Sequence, residues 1–236
     1  MPLNKATGNM YDFVTHTWNT VKGECPHSCS YCYMKRWGKQ PELHFDEKEL
    51  NTNLGSDNII FVGSSCDMFA ENIPERWILE TLEKCRGCGY RNQYWFQTKN
   101  PKRFIDLIGR HPSCFPFESI FCVTLESDYV PDEIRGRAPD ILSRLQFIKE
   151  MRRWIDANPI YWHHLAITIE PIIDFDLNVF SSMIASINPD RVSIGADSGK
   201  NNLPEPSSEK VQILIDEISQ YGIPVVKKDN LKRILK

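Results

Sequence analysis

The feature that most constrains the fold of this 236-residue chain is a repeated alternation of short apolar, β-branched runs with longer amphipathic stretches. This pattern is typical of parallel strands that are buried on both faces and joined by crossover helices. The predicted strands cover residues 13–17, 58–62, 93–98, 119–125, 165–169, 191–194 and 223–227. The predicted helices cover residues 74–84, 101–108, 139–157, 177–187 and 207–221.

The number of these units predicts the fold class. Six or seven βα units favour an α/β fold, a partial (βα)6-type barrel that stays open and ends in a short extra C-terminal strand, because a complete eight-unit barrel needs about 250 residues. No internal repeat or long Gly/Ser linker interrupts the alternation, so we expect a single domain over residues 1–236. Chemistry in such folds gathers at the carboxyl ends of the strands.

Charge and hydropathy limit the environment of the chain. Its 28 basic and 31 acidic residues give a net charge of -3, which provides no global attraction to nucleic acid or anionic lipid. Residues 1–13 lack the apolar core of a secretory signal, and no stretch approaches the roughly 18 apolar residues of a membrane span. The sequence therefore predicts a cytoplasmic protein without a membrane partner. Basic residues are nevertheless concentrated within residues 84–110 and 227–236.

Three cysteines, Cys25, Cys29 and Cys32, crowd the polar loop after the first predicted strand. Three thiolates at this spacing can hold one metal centre. A zinc site usually takes a fourth protein ligand, for which His27 is the candidate, whereas a [4Fe-4S] cluster held by three cysteines leaves one iron open to another ligand. Three unrelated buried thiols are the remaining alternative. We favour the cluster, whose open iron would imply chemistry at this loop.

The spacing Cys-x3-Cys-x2-Cys, with the aromatic Tyr31 before the third cysteine, resembles the hallmark of the radical S-adenosylmethionine (SAM) superfamily. The resemblance implies that Cys25, Cys29 and Cys32 hold a [4Fe-4S] cluster whose open iron is chelated by SAM. It also implies that an electron from the cluster cleaves SAM and releases a 5'-deoxyadenosyl radical. Tyr31 would then lie beside the adenine.

Later motifs extend the resemblance over nearly the whole chain. In chain order these motifs are VGSSCDMF, FQTKNPKRF, VTLESD, ITIEP, IGADSG and IPVVKKD. Together they resemble a phage-associated branch of the superfamily and, more distantly, spore photoproduct lyase. Many members carry a Gly-Gly-Glu that receives the methionine amino group; this chain has Gly63, Ser64 and Ser65 and lacks the glutamate. The resemblance assigns these three residues to cofactor binding.

The same resemblance assigns roles to four further residues. Lys99 and Glu126 would contact the ribose or carboxylate of SAM, and Glu170 would lie on the cavity floor. Each of them could instead form only a salt bridge at the barrel rim. Cys66 would return a hydrogen atom to a product radical, with a small buried thiol as the alternative.

A second group of metal-ligating residues lies away from these motifs. Cys85 and Cys88 resemble a zinc knuckle, and His111 and Cys114 are candidates for the remaining ligands of a structural zinc site. Both segments precede strands, so we expect this group at the amino-terminal face of the barrel. Reduced thiols without a metal are the alternative.

These expectations combine into a functional hypothesis. The resemblance implies an enzyme that abstracts hydrogen from its substrate and takes electrons from a donor of the flavodoxin or ferredoxin type. A nucleic acid or nucleotide substrate is favoured by the repair-lyase resemblance and the local basic segments. The alternatives are peptide or protein modification, and a non-catalytic metal-binding subunit of a partner protein.

Overall fold

The computed structural model describes residues 2–235, so the terminal residues of the predicted domain, Met1 and Lys236, lie outside the described residues. The strands are β1 (Asn4–Lys5), β2 (His16–Trp18), β3 (Val21–Lys22), β4 (His44–Phe45), β5 (Ile59–Val62), β6 (Gln93–Thr98), β7 (Ser119–Thr124), β8 (His164–Ile169), β9 (Arg191–Ile194) and β10 (Val225–Lys227). The helices are α1 (Glu75–Gly87), α2 (Lys102–Arg110), α3 (Asp132–Arg135), α4 (Ile141–Ala157), α5 (Leu177–Ile187) and α6 (Ser208–Gln220).

Eight of these strands form one sheet in the order β1-β2-β5-β6-β7-β8-β9-β10. From β2 to β10 all neighbours are parallel and follow chain order, and only β1 joins antiparallel. Among the described residues the edge strands β1 and β10 do not pair with each other, and β3 and β4 form a separate hairpin. The predicted α/β class and the open, partial barrel are confirmed.

The two faces of the sheet separate the structural core from the interior of the barrel. On β6, Tyr94 and Phe96 belong to the large cluster that packs against the helices, whereas Trp95 belongs to a second, interior cluster. Tyr11 and Val14 from the N-terminal segment complete that interior cluster. Successive side chains of a strand point to opposite faces, so every second residue of a strand faces the interior. The interior is therefore apolar at the amino ends of the strands and filled by the chain's own N-terminal segment.

Local capping explains where the helices begin. Asp140, Asp176 and Ser207 precede α4, α5 and α6, and each side chain accepts a hydrogen bond from a backbone N–H of the first turn. The helices α1, α2 and α3 follow prolines instead. No helix within residues 2–235 is long and apolar enough to cross a membrane.

Several boundaries differ from the sequence-based prediction. The first parallel strand is β2, which begins at His16 rather than at residue 13, because Phe13 and Val14 pack with the interior cluster instead of extending the sheet. The edge strand β1, the β3–β4 hairpin and the short helix α3 were not predicted. Most other predicted boundaries lie within about two residues of the observed ones, the usual uncertainty of helix and strand ends.

Candidate functional site

A cavity of about 640 Å³ opens at the carboxyl ends of the parallel strands, within the size range of small-molecule sites. Its walls come from the loop between β3 and β4, the turn after β5, and the segments that follow β6, β8, β9 and β10. All but one of the predicted site residues line it: Cys25, Cys29, Tyr31, Cys32, Gly63, Ser64, Ser65, Cys66, Lys99 and Glu170. The exception is Glu126.

The three clustered cysteines lie on one wall of this cavity as free thiols. A hydrogen bond from the Cys66 thiol lowers the pKa of Cys25 to about 6, whereas burial raises the pKa of Cys29 to about 11. Within residues 2–235, no three His, Cys, Asp or Glu side chains are grouped to hold a single metal ion. In a [4Fe-4S] site each cysteine binds a different iron, so the thiolates surround the cluster and do not converge on one ion. Three soft thiol donors on one wall are the ligand set that such a cluster takes.

Hydrogen bonds to α3 and to the residues directly after it hold the cysteine loop in place. The backbone amide of Arg137 donates to the carbonyl of His27 at 2.7 Å, and the backbone amide of Ser30 donates to the carbonyl of Ile134 at 3.0 Å. Between them, Gly136 has a φ of +64°, and a Cβ there would overlap the carbonyl oxygen of His27. Only glycine meets both requirements without strain. The unpredicted helix α3 thus positions the loop that carries the cysteines.

Asp67, in the turn after β5, connects the cysteine loop to β6. Its carboxylate accepts hydrogen bonds from the His27 imidazole at 2.9 Å, the Thr98 hydroxyl at 2.9 Å and the Lys99 amide at 2.8 Å. Burial opposes the charge of Asp67, but its bonds to His27 and Lys99 prevail and lower the pKa of the carboxyl group. The pairing uses only Nε2 of the imidazole and leaves Nδ1 for the zinc alternative, because a histidine ligand commonly donates its second ring nitrogen to a carboxylate. Asp67 therefore acts as the structural link of the site.

The turn after β5 places small residues and hydroxyl groups on the cavity wall. Gly63 has a φ of +79°, and its amide donates to the carbonyl of Trp18 at 2.9 Å. The side-chain oxygen of Asn19 accepts from the amide of Ser65 at 2.9 Å and from the hydroxyl of Ser64 at 3.2 Å. The turn is thus tied to the end of β2, with backbone and hydroxyl oxygens close to the cysteine loop.

Glu126 was predicted to contact the cofactor directly, but the structure places it behind the wall. Its carboxylate is fully buried; it accepts hydrogen bonds from the hydroxyl of Tyr31 and from the guanidinium of Arg144 at 2.7 Å, and it lies 3.4 Å from the ammonium of Lys99. Burial alone would raise the pKa of Glu126, but Arg144 and Lys99 lower it to about 2. Arg144 reaches from α4 and pairs with the carboxylate of Glu126, which holds that carboxylate in its buried position. Glu126 positions Tyr31 and Lys99, which themselves line the cavity.

The C-terminal side of the cavity holds a second polar cluster, centred on Glu170. The carboxylate accepts from Lys228 at 2.7 Å, from Asn9 at 2.8 Å and from Asn230 at 3.2 Å. The Lys228 ammonium also lies 4.2 Å from the ring centroid of Tyr11, within cation–π range. Glu170 lines the cavity, and its partners come from both ends of the chain.

The predicted structural zinc site does not assemble. Cys85 and Cys114 are buried in the core between sheet and helices, and the thiol of Cys88 donates to the carbonyl of Lys84. The imidazole of His111 pairs with Glu75 at 3.0 Å. Within residues 2–235, no metal-binding group includes these side chains. The knuckle-like spacing lies at the end of α1, where Cys85 faces the core, so the arrangement of the described residues favours the alternative of reduced thiols without a metal.

Sequence reasoning missed Arg144, Asn9 and the linking role of Asp67. The signal for Arg144 was present: it occupies a buried position of α4, in register with Ile141, Ile148 and Met151. A charged residue in an apolar helical stripe indicates a buried partner. Asn9 carries no comparable signal, because it lies in an irregular segment before the sheet.

Comparisons with known proteins bear on the fold. No protein-family model and no curated protein matches the sequence. A structure of a spore photoproduct lyase variant with bound AdoMet (SAM) and dinucleoside spore photoproduct superposes with a TM-score of 0.61 at 12% identity, covering 95% of this chain and 80% of that one. Another spore photoproduct lyase variant, with bound dinucleoside spore photoproduct, gives a TM-score of 0.60 at 14% identity and covers 94% of this chain and 80% of that one. Native anSMEcpe with bound AdoMet gives 0.50 at 10% identity, covering 89% and 62%. At these identities the likeness establishes the fold: over most of its length, the chain is structurally similar to radical SAM enzymes.

Proposed function

We propose that the chain is a radical SAM enzyme that holds a [4Fe-4S] cluster through Cys25, Cys29 and Cys32. The observation that carries this proposal is that the three thiols line one cavity with the turn of Gly63, Ser64 and Ser65. That cavity lies at the carboxyl ends of strands in a fold similar to structures with bound AdoMet. Bound there, the cluster would supply the electron that cleaves SAM to a 5'-deoxyadenosyl radical, the group that abstracts hydrogen from the substrate.

The remaining residues of this wall orient SAM. The oxygens of Ser64 and Ser65 replace the absent glutamate as acceptors for the methionine amino group. Tyr31 presents its ring and backbone to the adenine. The ammonium of Lys99 lies 5.4 Å from the centre of the Tyr31 ring, and the Lys99 side chain is 16% exposed. The ammonium can therefore pair with the methionine carboxylate. Glu126 holds both Tyr31 and Lys99 in place.

A nucleic acid or nucleotide is the substrate class that we propose. Lys35, Arg36 and Lys39 are exposed at the mouth of the cavity, directly after the cysteine loop. Trp37, among them, has 75% of its surface exposed. Exposed cations that flank an exposed aromatic ring are typical of single-strand binding, where phosphates pair with the cations and a base stacks on the ring.

The first experiment is anaerobic reconstitution with iron and sulfide, followed by dithionite reduction in the presence of SAM. We expect about four iron atoms per chain and release of 5'-deoxyadenosine. Cys29→Ala should abolish both. Cys88→Ala removes a thiol away from the cavity and should retain both. A folded, iron-loaded wild type that never releases 5'-deoxyadenosine would leave the non-catalytic metal-binding subunit as the better interpretation.

The second experiment addresses the substrate class. Binding of a fluorescent single-stranded oligonucleotide should weaken steeply with salt, because each phosphate contact releases counterions. Replacing Lys35 and Arg36 by Gln should reduce the slope of that dependence by about 0.7 per removed contact, the value for single strands. Binding of peptides in place of oligonucleotides would favour the protein-modifying alternative. The electron donor, the hydrogen-donor role of Cys66 and the phage association stay predictions from the sequence.

A further inference from the structure

The barrel has a second cavity, of about 580 Å³, at the amino ends of the parallel strands. Its walls come from the first residues of β5 to β9, from the turns before β9 and β10, and from Phe13. Among the described residues, none lines both this cavity and that of the cysteine loop. The ring of Phe13 stacks on that of Tyr11, which lines the other cavity, with 5.3 Å between the ring centroids. The N-terminal segment thus divides the interior of the barrel into two separate spaces.

The inner walls of this second cavity are apolar. Five of its lining residues belong to the interior cluster: Phe13, Ile59, Trp95, Ile120 and Ala166. The volume lies within the usual range of small-molecule sites, which are lined mainly by apolar side chains and fix their ligand through a few polar groups. The polar groups of the second cavity therefore decide what it can bind.

Arg191, at the start of β9, places a positive charge beside these apolar walls. The residue is half-buried, and its guanidinium carbon lies 4.5 Å from the centroid of the Phe13 ring, within cation–π range. A guanidinium has five N–H donors, and no described group accepts a hydrogen bond from any of them or forms an ion pair with Arg191. The ring thus holds the side chain in place while its donors stay available to a ligand.

The carboxylate that adjoins Arg191 along the chain is already paired. Asp190 lines the same cavity, but it accepts hydrogen bonds from the guanidinium of Arg152 at 3.1 Å and from the backbone amide of Leu165 at 2.7 Å. It also lies 3.8 Å from Nδ1 of His164. Within the described part of the chain, these contacts use Asp190 and leave the charge of Arg191 without a counter-charge.

The charge and shape of the walls select among ligands. A neutral ligand leaves the cation of Arg191 unpaired, and a phosphate dianion brings more negative charge than one cation balances. A carboxylate has a single charge and two coplanar oxygens, which match the fork of N–H donors on a guanidinium. The apolar inner walls favour a hydrocarbon body for the rest of the ligand, because its burial removes apolar surface from water.

We propose that the second cavity binds an apolar monocarboxylate, whose carboxylate pairs with Arg191 and whose hydrocarbon body packs against the interior cluster. The inference goes beyond the proposed function. It concerns the end of the barrel opposite to the cysteine loop, and it requires neither the iron–sulfur cluster nor SAM. It assigns a ligand site to the amino-terminal face of the barrel.

The test compares three probes by isothermal titration calorimetry on the cluster-reconstituted protein. Octanoate has both the charge and the hydrocarbon body, octan-1-ol has the body without the charge, and acetate has the charge without the body. We expect wild type to bind octanoate about ten- to a hundredfold more tightly than octan-1-ol, the range for hydrogen bonds to a charged group. Acetate should bind more weakly than octanoate, because it buries little apolar surface.

Three variants locate the binding site. Arg191→Met keeps the length of the side chain without its charge, so octanoate and octan-1-ol should then bind about equally. Arg153→Met, the matched control, removes an exposed arginine of α4 that does not line the cavity and should keep the preference for octanoate. Ile59→Trp leaves Arg191 in place and puts a larger side chain into the cavity, so it should weaken the binding of both eight-carbon probes at least tenfold.

Four results would overturn the site: no binding of octanoate by wild type, octanoate no tighter than octan-1-ol, acetate as tight as octanoate, or a preference for octanoate that persists in folded Arg191→Met. Folding of the variants is checked by circular dichroism. If Arg191→Met does not fold, Ile59→Trp decides the question, and octanoate binding equal to wild type in that variant would refute the proposal.

Discussion

Replacing Glu126 by Gln tests the buried charge cluster behind the cavity wall. The carboxylate and the guanidinium of Arg144 are both fully buried and lie 2.7 Å apart, and the ammonium of Lys99 is 3.4 Å from the other carboxylate oxygen. Glu126→Gln keeps the shape of the side chain and removes its charge. The buried Arg144 and the partly buried Lys99 then lose their counter-charge, and leaving a buried charge unpaired typically costs more than the pair itself contributes.

The magnitude follows from the pKa of Glu126. Burial opposes the charged form, yet Arg144 and Lys99 lower the pKa to about 2 from its usual 4.5. A shift of that size corresponds to about 3 kcal/mol of folding free energy. Because the folded pKa is depressed, this contribution is fully present above the unfolded pKa and is lost as the pH falls toward 2. At neutral pH, we expect Glu126→Gln to reduce the free energy of unfolding by about 3–5 kcal/mol.

The assay is urea denaturation of the reduced apoprotein under anaerobic conditions, in a double-mutant cycle with Arg144→Met. Each single variant leaves a buried charge unpaired, so we expect the double variant to be less destabilised than the sum of the two by about 1–3 kcal/mol. The control is Asp106→Asn, which breaks the partly exposed pair with Lys102 and should cost less than about 0.5 kcal/mol. Additive effects, or a Glu126→Gln as mild as the control, would refute the reasoning.

Three further predictions concern folding and the cysteine loop. Burial lowers the pKa of His163 to about 4, so the unfolded chain binds a proton at a higher pH than the folded chain does. The free energy of unfolding should therefore fall by about 2 kcal/mol between pH 7.5 and 5. In His163→Phe this fall should be absent when urea denaturation is repeated over the same pH range. Gly136→Ala should lower the iron content after reconstitution, because it combines a strained φ with a clash against the cysteine loop. The control, Gly109→Ala on the exposed face of α2, should leave the iron content unchanged and raise the free energy of unfolding by about 0.5–1 kcal/mol. Asp67→Asn should likewise lower iron retention, measured as iron per chain after desalting, since it removes the negative charge beside His27 and replaces by an amide nitrogen one of the two acceptor oxygens of the side chain that joins the cysteine loop to β6. Iron retention equal to wild type would contradict it.

The order of the parallel strands was predictable because each strand is short, apolar and followed by a helix. The same signal misplaced the first strand. Phe13 and Val14 are as apolar as a strand, but they pack with the interior of the barrel next to Trp95. A hydrophobic pattern predicts that a segment is buried but not which part of the protein it packs against. A buried segment inside the barrel and a buried strand therefore have the same sequence pattern.

The candidate site was predictable where its residues are close in sequence. The three cysteines and Gly63 with its two serines lie in compact motifs, and all of them line the cavity. The buried position of Glu126 was not predictable from local sequence because it depends on Arg144, 18 residues later along the chain. The pairing of Asn9 with Glu170 spans 161 residues, a separation that local patterning cannot resolve. Local chemistry is readable from sequence, whereas long-range pairing requires the fold.

Cys66 tests which of two roles a thiol at the cavity wall performs. It is a buried free thiol that donates a hydrogen bond to Cys25, so it can support the cysteine loop or donate a hydrogen atom to a substrate radical. Serine preserves the hydrogen-bond donor, but its stronger O–H bond does not release a hydrogen atom to a carbon radical. We expect both Cys66→Ala and Cys66→Ser to retain iron and 5'-deoxyadenosine release and to change the product pattern equally, measured by mass spectrometry after turnover. A product pattern that Ala changes and Ser restores would assign Cys66 to support of the loop, and an unchanged pattern in both would remove the donor role.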